Sequence, residues 1–433
     1  MRSAPKKTSN SQKIEVYIGT AGISVGELTF VQDGRREFSQ FSYASSWLAH
    51  ANTFAVSPDL PLGPGHVQRK APSRVDSVFH HALADSAPDA WGRRVIERAH
   101  AKARKRDKTL FPLTELDYLC AVDDFSRLGA LRLRKDGTCL QTSEDGRRST
   151  PVFLDLQRLY RASRAVEDNT ETLEDLEYLQ GRGTSLGGMR PKCTVVDENG
   201  KLAIGKFPSR ADTISVTRGE VLALILSRMA GINTATARIV DIEGTPVAVI
   251  ERFDRRPGDQ RVPYLSAASM LQASREEDRS YSEVVDAIRQ QCNDPDQDAQ
   301  ELWRRLVFNL LITNTDDHLH NHGFLYAGQG KWELAPAFDV NPMPGKQRES
   351  NTLLTRESGP IDSVAMLLEE SPYFSLSKEK ALKILADVLT AVENWRAIAL
   401  SGEVGLTKKE LSGFEDAFEH DITEEACKLL TKN

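Results

Sequence analysis

Asn314-Thr315-Asp316-Asp317-His318-Leu319-His320-Asn321-His322 is the stretch of this chain densest in reactive side chains. It places two carboxylates, two amides and three imidazoles within nine residues, a set that is costly to bury without a function. A carboxylate here could take a proton from a hydroxyl, and the oxygens of Asp and Asn suit a hard cation such as Mg²⁺. A further carboxylate, Asp339 in Ala-Phe-Asp-Val, follows a predicted hairpin and could supply a second oxygen ligand. His318, His320 and His322 alternate, so in an extended loop all three would share one side, which is also compatible with zinc. The reading preferred here is simpler: one imidazole orders the loop through hydrogen bonds and the others lie at the surface.

Asp316 and Asn321 are separated by four residues. That is the D-x-x-x-x-N spacing of phosphotransfer loops, in which the Asp accepts the substrate hydroxyl proton and the Asn binds magnesium. Asp317 gives the wrong spacing, so Asp316 is the expected base. Upstream, Ser185-Leu186-Gly187-Gly188-Met189-Arg190-Pro191-Lys192 could bring backbone N–H groups close to phosphate oxygens, with Lys192 neutralising charge. It is not a Walker A loop, and a plain glycine turn is the alternative. Lys206 ends the strand-like LAIGK, Glu220 lies on the next predicted helix, and Glu251-Arg252-Phe253-Asp254 closes a later strand at the position of a hinge. Singly, each of these charges reads as a surface ion pair. Their order along the chain makes the case for phosphotransfer.

The elements that must position these residues follow from hydrophobic periodicity. EVYIGT, ELTFVQ and EFSQFSY alternate as strands, with Asp33-Gly34 as a hairpin turn. Residues 74–104 and 115–122 read as helices, followed by a strand at 130–133. The polar segment Thr142–Pro151 marks a boundary. Helices at 154–164 and 172–180, strands at 193–196 and 201–207, a helix at 217–231 and strands at 236–242 and 247–253 come next. Beyond Tyr281 the chain reads as mostly helical, apart from a hairpin at 324–326 and 332–334. This predicts an α+β, two-lobed, protein-kinase-like fold with a β-rich N-terminal subdomain and a mostly helical C-terminal lobe. The expected divisions are a flexible leader over 1–13, a β-rich part with kinase N-lobe elements over 14–150, a nucleotide-binding core over 151–255 and a catalytic lobe over 256–433.

Composition agrees with a globular chain of more than one lobe: 433 residues, 40% hydrophobic and 27% charged. No apolar run reaches the roughly 18 residues of a membrane span, so no membrane partner is expected. The polar, basic start does not resemble a secretory signal, and five scattered cysteines without a CxxC pair fit a reducing, cytoplasmic setting. Residues 1–150 carry a net +6 and the remainder −12, the basic excess coming largely from Lys102–Lys108. Contact with DNA or an acidic partner is one reading of that run and a solvated helix face the other. A pI near 5.9 argues against a dedicated nucleic-acid binder.

Taken as a set, these motifs resemble the HipA family, serine/threonine kinase toxins of bacterial toxin–antitoxin pairs. The resemblance rests on S-x-x-G-x-x-x-K (Ser185, Gly188, Lys192), the strand lysine Lys206 and the run Val249–Arg255. It extends to Thr315–Asn321 (T-D-x-H-x-x-N), Phe338-Asp339, and an N-terminal part with strands over 16–54 and Pro88-Asp89-Ala90-Trp91-Gly92. It implies an ATP-binding loop at Gly187, Gly188, Met189, Arg190, Pro191 and Lys192, and a phosphate-contacting lysine at Lys206. Further nucleotide contacts fall on Glu251, Arg252 and Phe253 at the hinge, on His318, Leu319, His320 and Asn321, and on Phe338 and Asp339. The catalytic base falls on Asp316, the Mg²⁺ ligands on Asn321 and Asp339, and an autophosphorylated, self-inactivating serine on Ser185. It also implies a DNA-binding HipB-like antitoxin, operator DNA reached through that complex, and a protein substrate such as an aminoacyl-tRNA synthetase. Asp317 stands where the family often has a small residue, and His320 where it often has a basic one. Two other functions share parts of this pattern: a catalytically silent co-repressor partner of the antitoxin, and a small-molecule kinase. Intact Lys206, Asp316, Asn321 and Asp339 favour the active enzyme.

Overall fold

The computed structural model describes residues 10–34, 36–140, 156–180, 188–197, 199–258, 260–345 and 349–432. The alternating N-terminal sequence forms an antiparallel sheet of β1 (Asn10–Ile18), β2 (Ile23–Asp33), β3 (Arg36–Tyr43), β4 (Val67–Arg69), β5 (Leu131–Lys135) and β6 (Thr138–Cys139). Its strand order is β4-β3-β2-β1-β5-β6. Val16, Leu28, Phe30 and Phe41 point to one buried face, as period-two patterning requires. Gly34, at φ 65°, makes the turn that sets Asp33 opposite Arg36. β1 already begins at Asn10, so the last residues of the expected leader are strand.

Helices α1 (Ser45–Leu48), α2 (His81–Asp85), α3 (Ala90–Arg106) and α4 (Glu115–Ala121) lie between β3 and β5. The single helix expected over 74–104 is thus two helices with a non-helical approach. Pro88 disfavours helix at the residue before it, and Asp76 is held outside any helix by Ser274 Oγ (2.6 Å) and the Arg275 N–H (2.9 Å).

After α5 (Leu156–Asp168) and α6 (Leu173–Gln180) comes a second antiparallel sheet: β7 (Lys192–Val196), β8 (Leu202–Lys206), β9 (Ala237–Ile242) and β10 (Thr245–Glu251), in the order β7-β8-β10-β9. α7 (Val216–Met229) packs on β9 and β10. A short ladder, β11 (Arg255–Arg256) with β12 (Gln260–Arg261), leads to the C-terminal lobe. There α8 (Ala267–Met270), α9 (Tyr281–Gln291) and α10 (Pro295–Leu311) adjoin the sheet β13 (Tyr264–Ser266), β14 (Gly323–Gly328) and β15 (Lys331–Leu334). Further helices fill the rest, among them Lys378–Glu393 and the last, Asp421–Lys432, and Leu353–Thr355 pairs with Gly359–Pro360 in a ladder that the mostly helical reading did not include. Among the described residues no helix is long and apolar enough to cross a membrane.

Packing crosses the boundaries drawn from sequence. One core runs from Ile14, Leu28 and Phe41 of the first sheet through Leu265, Trp303 and Phe324 of the C-terminal lobe. At the contact Phe54 stacks on Tyr326, with ring centroids 3.8 Å apart. A second core joins Trp91, Val95 and Ala99 of α3 to α5, α6 and the strands β7, β8 and β10. α3 therefore belongs by sequence to the N-terminal part and by packing to the second sheet. The expected boundary at Thr142–Pro151 lies outside the described residues.

Candidate active site

Lys206 is the last residue of β8, and its ammonium sits between two carboxylates. Nζ is 2.6 Å from Glu220 Oε1 on α7 and 2.7 Å from Asp339 Oδ1, which follows β15. One cation thereby joins the four-stranded sheet, its helix and the C-terminal lobe. Burial works against the charge of Lys206, but Asp339 and Glu220 outweigh it and hold its pKa up. Burial also pushes Glu220 upward, and Lys206 only partly offsets this. At Asp339 the two ammonium groups of Lys206 and Lys192 overcome burial and hold the carboxyl well below its ordinary range. Asp339 has φ 55°, a left-handed conformation that Asp adopts more readily than most residues. Asn341 Nδ2 donates to the same Oδ1 over 3.3 Å.

The loop after α10 divides its polar groups between inside and outside. α10 starts with Asp294 accepting from the Gln297 N–H and Pro295 in the first turn. Its apolar length ends at Thr313, which leaves the helix at φ 54°, an unusual conformation for a β-branched residue and a sign of constraint near a site. Asp316 is exposed, and its backbone carbonyl accepts from Asn321 Nδ2 over 3.0 Å. Asp317 is buried, and its carboxylate accepts from the Tyr281 hydroxyl, from Asn309 Nδ2 (2.9 Å) and from His322 Nε2 (3.0 Å). Burial opposes that charge, but His322 leads the contacts that pull the pKa of Asp317 down. His318 and His320 are exposed and meet edge to face, 5.9 Å between centroids, whereas His322 is turned inward. Among the described residues no three His, Cys, Asp or Glu side chains gather as a metal site. Asn321 and Asp339 supply oxygen donors, the type Mg²⁺ takes alongside water and phosphate. The loop thus holds one carboxylate inside and presents the other.

Ser185 and Gly187 lie outside the described residues. Gly188 has φ 85°, and Met189 beside it is 79% exposed. Arg190 is paired in a fork to Asp212 at 2.9 and 2.6 Å, and the Pro191 carbonyl accepts from the Phe207 N–H, so the loop's exit is fixed against the end of β8. Lys192 is buried, with Nζ 3.3 Å from Asp89 Oδ2.

At the hinge, Glu251 meets Lys201 at 2.9 Å. Phe253 and Phe338 approach to 5.5 Å between ring centroids, joining the hinge to the residue before Asp339. The Arg252 side chain instead turns inward to Asp254 and the Ser126 carbonyl. Leu319, within the loop, is buried.

Several residues that build this geometry carry no local signal. Tyr281 reaches Asp317 from 36 residues away, whereas Asn309 and Asn341 stand close in sequence to the carboxylates they meet but belong to no motif that marks them. Asp89 is different: it stands in the Pro-Asp-Ala-Trp-Gly stretch as a helix N-cap, and only its ion pair with Lys192 was illegible.

The chain matches known proteins over most of its length. The HipA N-terminal domain matches residues 15–133 and the HipA-like C-terminal domain residues 184–396. The serine/threonine-protein kinase toxin HipA of Shewanella oneidensis is 24% identical over 368 residues, covering 77% of this chain and 76% of the relative. A putative kinase of Sinorhizobium fredii, Y4mE, is 24% identical over 336 residues, 72% of this chain and 73% of the relative. Among solved structures, HipA of the Shewanella oneidensis MR-1 complex of HipA, HipB and operator DNA superposes with a TM-score of 0.68 at 17% identity, covering 97% of each chain. The fold is accordingly the two-lobed α+β, kinase-like one.

Proposed function

The chain belongs to the HipA family, and we propose that it is a serine/threonine protein kinase acting as the toxin of a toxin–antitoxin pair. The observation that carries the reading is Lys206 held between Glu220 and Asp339, with Asp316 presented on the exposed loop that precedes Asp339 in the chain. Lys206 and Lys192 would neutralise the phosphates of ATP. Asp316 would accept the proton of the substrate hydroxyl as that oxygen attacks the γ-phosphorus and ADP departs. Mg²⁺, when bound through Asn321 and Asp339, would neutralise charge developing on the transferred phosphoryl group. Asp317, fixed by Tyr281, Asn309 and His322, would hold the loop so that its neighbour faces outward.

The protein substrate proposed from the resemblance is a translation component such as an aminoacyl-tRNA synthetase in the cytoplasm, with growth arrest as the outcome. Ser185 would be the autophosphorylation site. Its phosphate would add about −1.5 to −2 charge beside the triphosphate and lower nucleotide affinity. The deciding experiment incubates the pure protein with labelled ATP, Mg²⁺ and cell lysate, with Asp316→Asn in parallel. Label on a discrete protein with the wild type alone is expected. Equal label with both proteins would remove Asp316 from the mechanism. Intact mass after Mg-ATP, followed by peptide mapping, tests Ser185.

A second role, as co-repressor with a HipB-like antitoxin, is favoured by the solved relative that sits with HipB on operator DNA and by the exposed Arg104, Lys105 and Arg106 ending α3. It is compatible with catalysis.

A further inference from the structure

Lys192 lies where its charge reaches the reacting groups, since it helps hold the pKa of Asp339 down and offsets part of the rise that burial gives Glu220. Its direct partner, however, comes from the N-terminal domain. Asp89 caps α3 by accepting from the Gly92 N–H at 2.6 Å with Oδ1, while Oδ2 lies 3.3 Å from Lys192 Nζ. The two side chains are 5% and 3% exposed. The Trp91 N–H meets the Gly188 carbonyl at 3.4 Å, so the first turn of α3 touches the glycine loop itself. A Cβ on Gly188 would stand 2.9 Å from Lys192 Nζ, and the glycine is what lets the ammonium fold back toward Asp89.

We infer that Asp89 is a counter-ion that competes with the nucleotide's phosphates for Lys192, so that the N-terminal domain sets how tightly a triphosphate is held. This rests on the nucleotide reading of the site given above. Capping alone does not need a carboxylate, because Asn and Ser cap as well. The charge on Asp89 is therefore additional to its structural task. The ion pair is also long compared with the roughly 2.7–2.9 Å of a well-formed charge-assisted bond, so Lys192 is loosely held. With Asp89 counted, Lys192 and Lys206 face three carboxylates, Asp89, Glu220 and Asp339. Removing the Asp89 charge leaves a neutral set, which is a better host for an anion.

Asp89→Asn keeps the cap acceptor and the shape of the side chain while deleting the charge. Affinities of wild type and variant for adenosine, ADP and ATP are measured by titration calorimetry at low salt. ATP is expected to bind at least about 5-fold tighter to the variant, ADP less so and adenosine equally, with the gain shrinking as salt screens the site. In a Lys192→Met background the same substitution should give no gain. Asp89→Ser, which also caps, repeats the measurement should the Asn variant fold poorly. An ATP affinity that is unchanged or weaker, or an equal gain for adenosine, overturns the inference. Wild type failing to bind ATP would sink the nucleotide reading itself, and this inference with it.

Discussion

Two clusters of buried charge lie on either side of the hinge, and they are built on different plans. On one side Asp254 accepts from Arg252 Nε (2.8 Å), from Arg255 (2.8 Å) and from the Gly129 N–H (2.7 Å). The same arginines donate onward to the carbonyls of Phe125, Ser126 and Arg127, while the Arg127 guanidinium reaches those of Ser86, Leu119 and Val122. On the other side Lys206 has two carboxylates from two lobes, one of them, Asp339, with its side chain 28% exposed. Guanidinium groups present fixed forks that suit permanent attachment, whereas an ammonium is a compact charge that can change partners. The first cluster fastens the N-terminal domain to the hinge strand. The second is left free to rearrange around a ligand.

If that contrast is right, removing a carboxylate should have opposite consequences on the two sides. Asp254→Ala leaves two buried guanidinium groups uncompensated and should cost about 3–5 kcal/mol of unfolding free energy, read from urea denaturation. A variant as stable as wild type would deny the cluster its structural part. Asp339→Asn should cost less stability than Asp254→Ala, because Lys206 keeps Glu220, yet abolish phosphotransfer through loss of a proposed Mg²⁺ ligand. Asp316→Asn should reduce turnover at least about 10²-fold with no change in melting temperature, as expected for removal of a general base. Wild-type turnover in that variant would exclude this loop from proton transfer.

Acid titration sharpens the comparison by a smaller amount. Arg252 and Arg255 hold the Asp254 carboxyl far below its ordinary range against the effect of burial. Its contribution is therefore complete above the unfolded carboxylate pKa of about 3.9 and disappears as pH falls through the lower folded value. Wild type should thus lose more stability than Asp254→Asn between about pH 4 and the acid limit, and parallel curves would contradict this. The smallest effect is expected at the exposed end of α3. Arg104, Lys105 and Arg106 changed together to Ala should weaken operator binding by the antitoxin complex and flatten its salt dependence, without loss of stability. An unchanged salt slope returns that run to solvent.

The sequence disclosed what is periodic or locally spaced. Strands β1, β2, β3 and β5 of the first sheet, the four strands of the second, α7 and α10, and the separation of Asp316 from Asn321 follow from patterns within a few residues, whereas the short strands β4 and β6 do not. The same reasoning could assign Lys206 and Glu220 their order but not their 2.6 Å contact, which depends on how α7 packs on its sheet. At Arg252 the hinge run suggested a nucleotide contact, and the side chain meets Asp254 two residues on together with the Ser126 and Arg127 carbonyls, from a segment more than a hundred residues earlier. The split of 74–104 was signalled by Pro88, whereas the pinning of Asp76 to Ser274 and Arg275 was not. Tertiary pairing of this kind has no period to detect.

The stacking of Phe54 on Tyr326 has a bearing on genetics. Phe54, Trp332 and the strands around them share one apolar interior with the C-terminal lobe, and β14 and β15 form the hairpin that leads directly to Asp339. A truncated allele lacking the first sheet would bare that interior and loosen the hairpin at once. Its protein would be cleared or aggregate, and its phenotype would report missing protein rather than a missing domain. Point substitutions are the safer alleles for separating the tasks of the two ends of this chain.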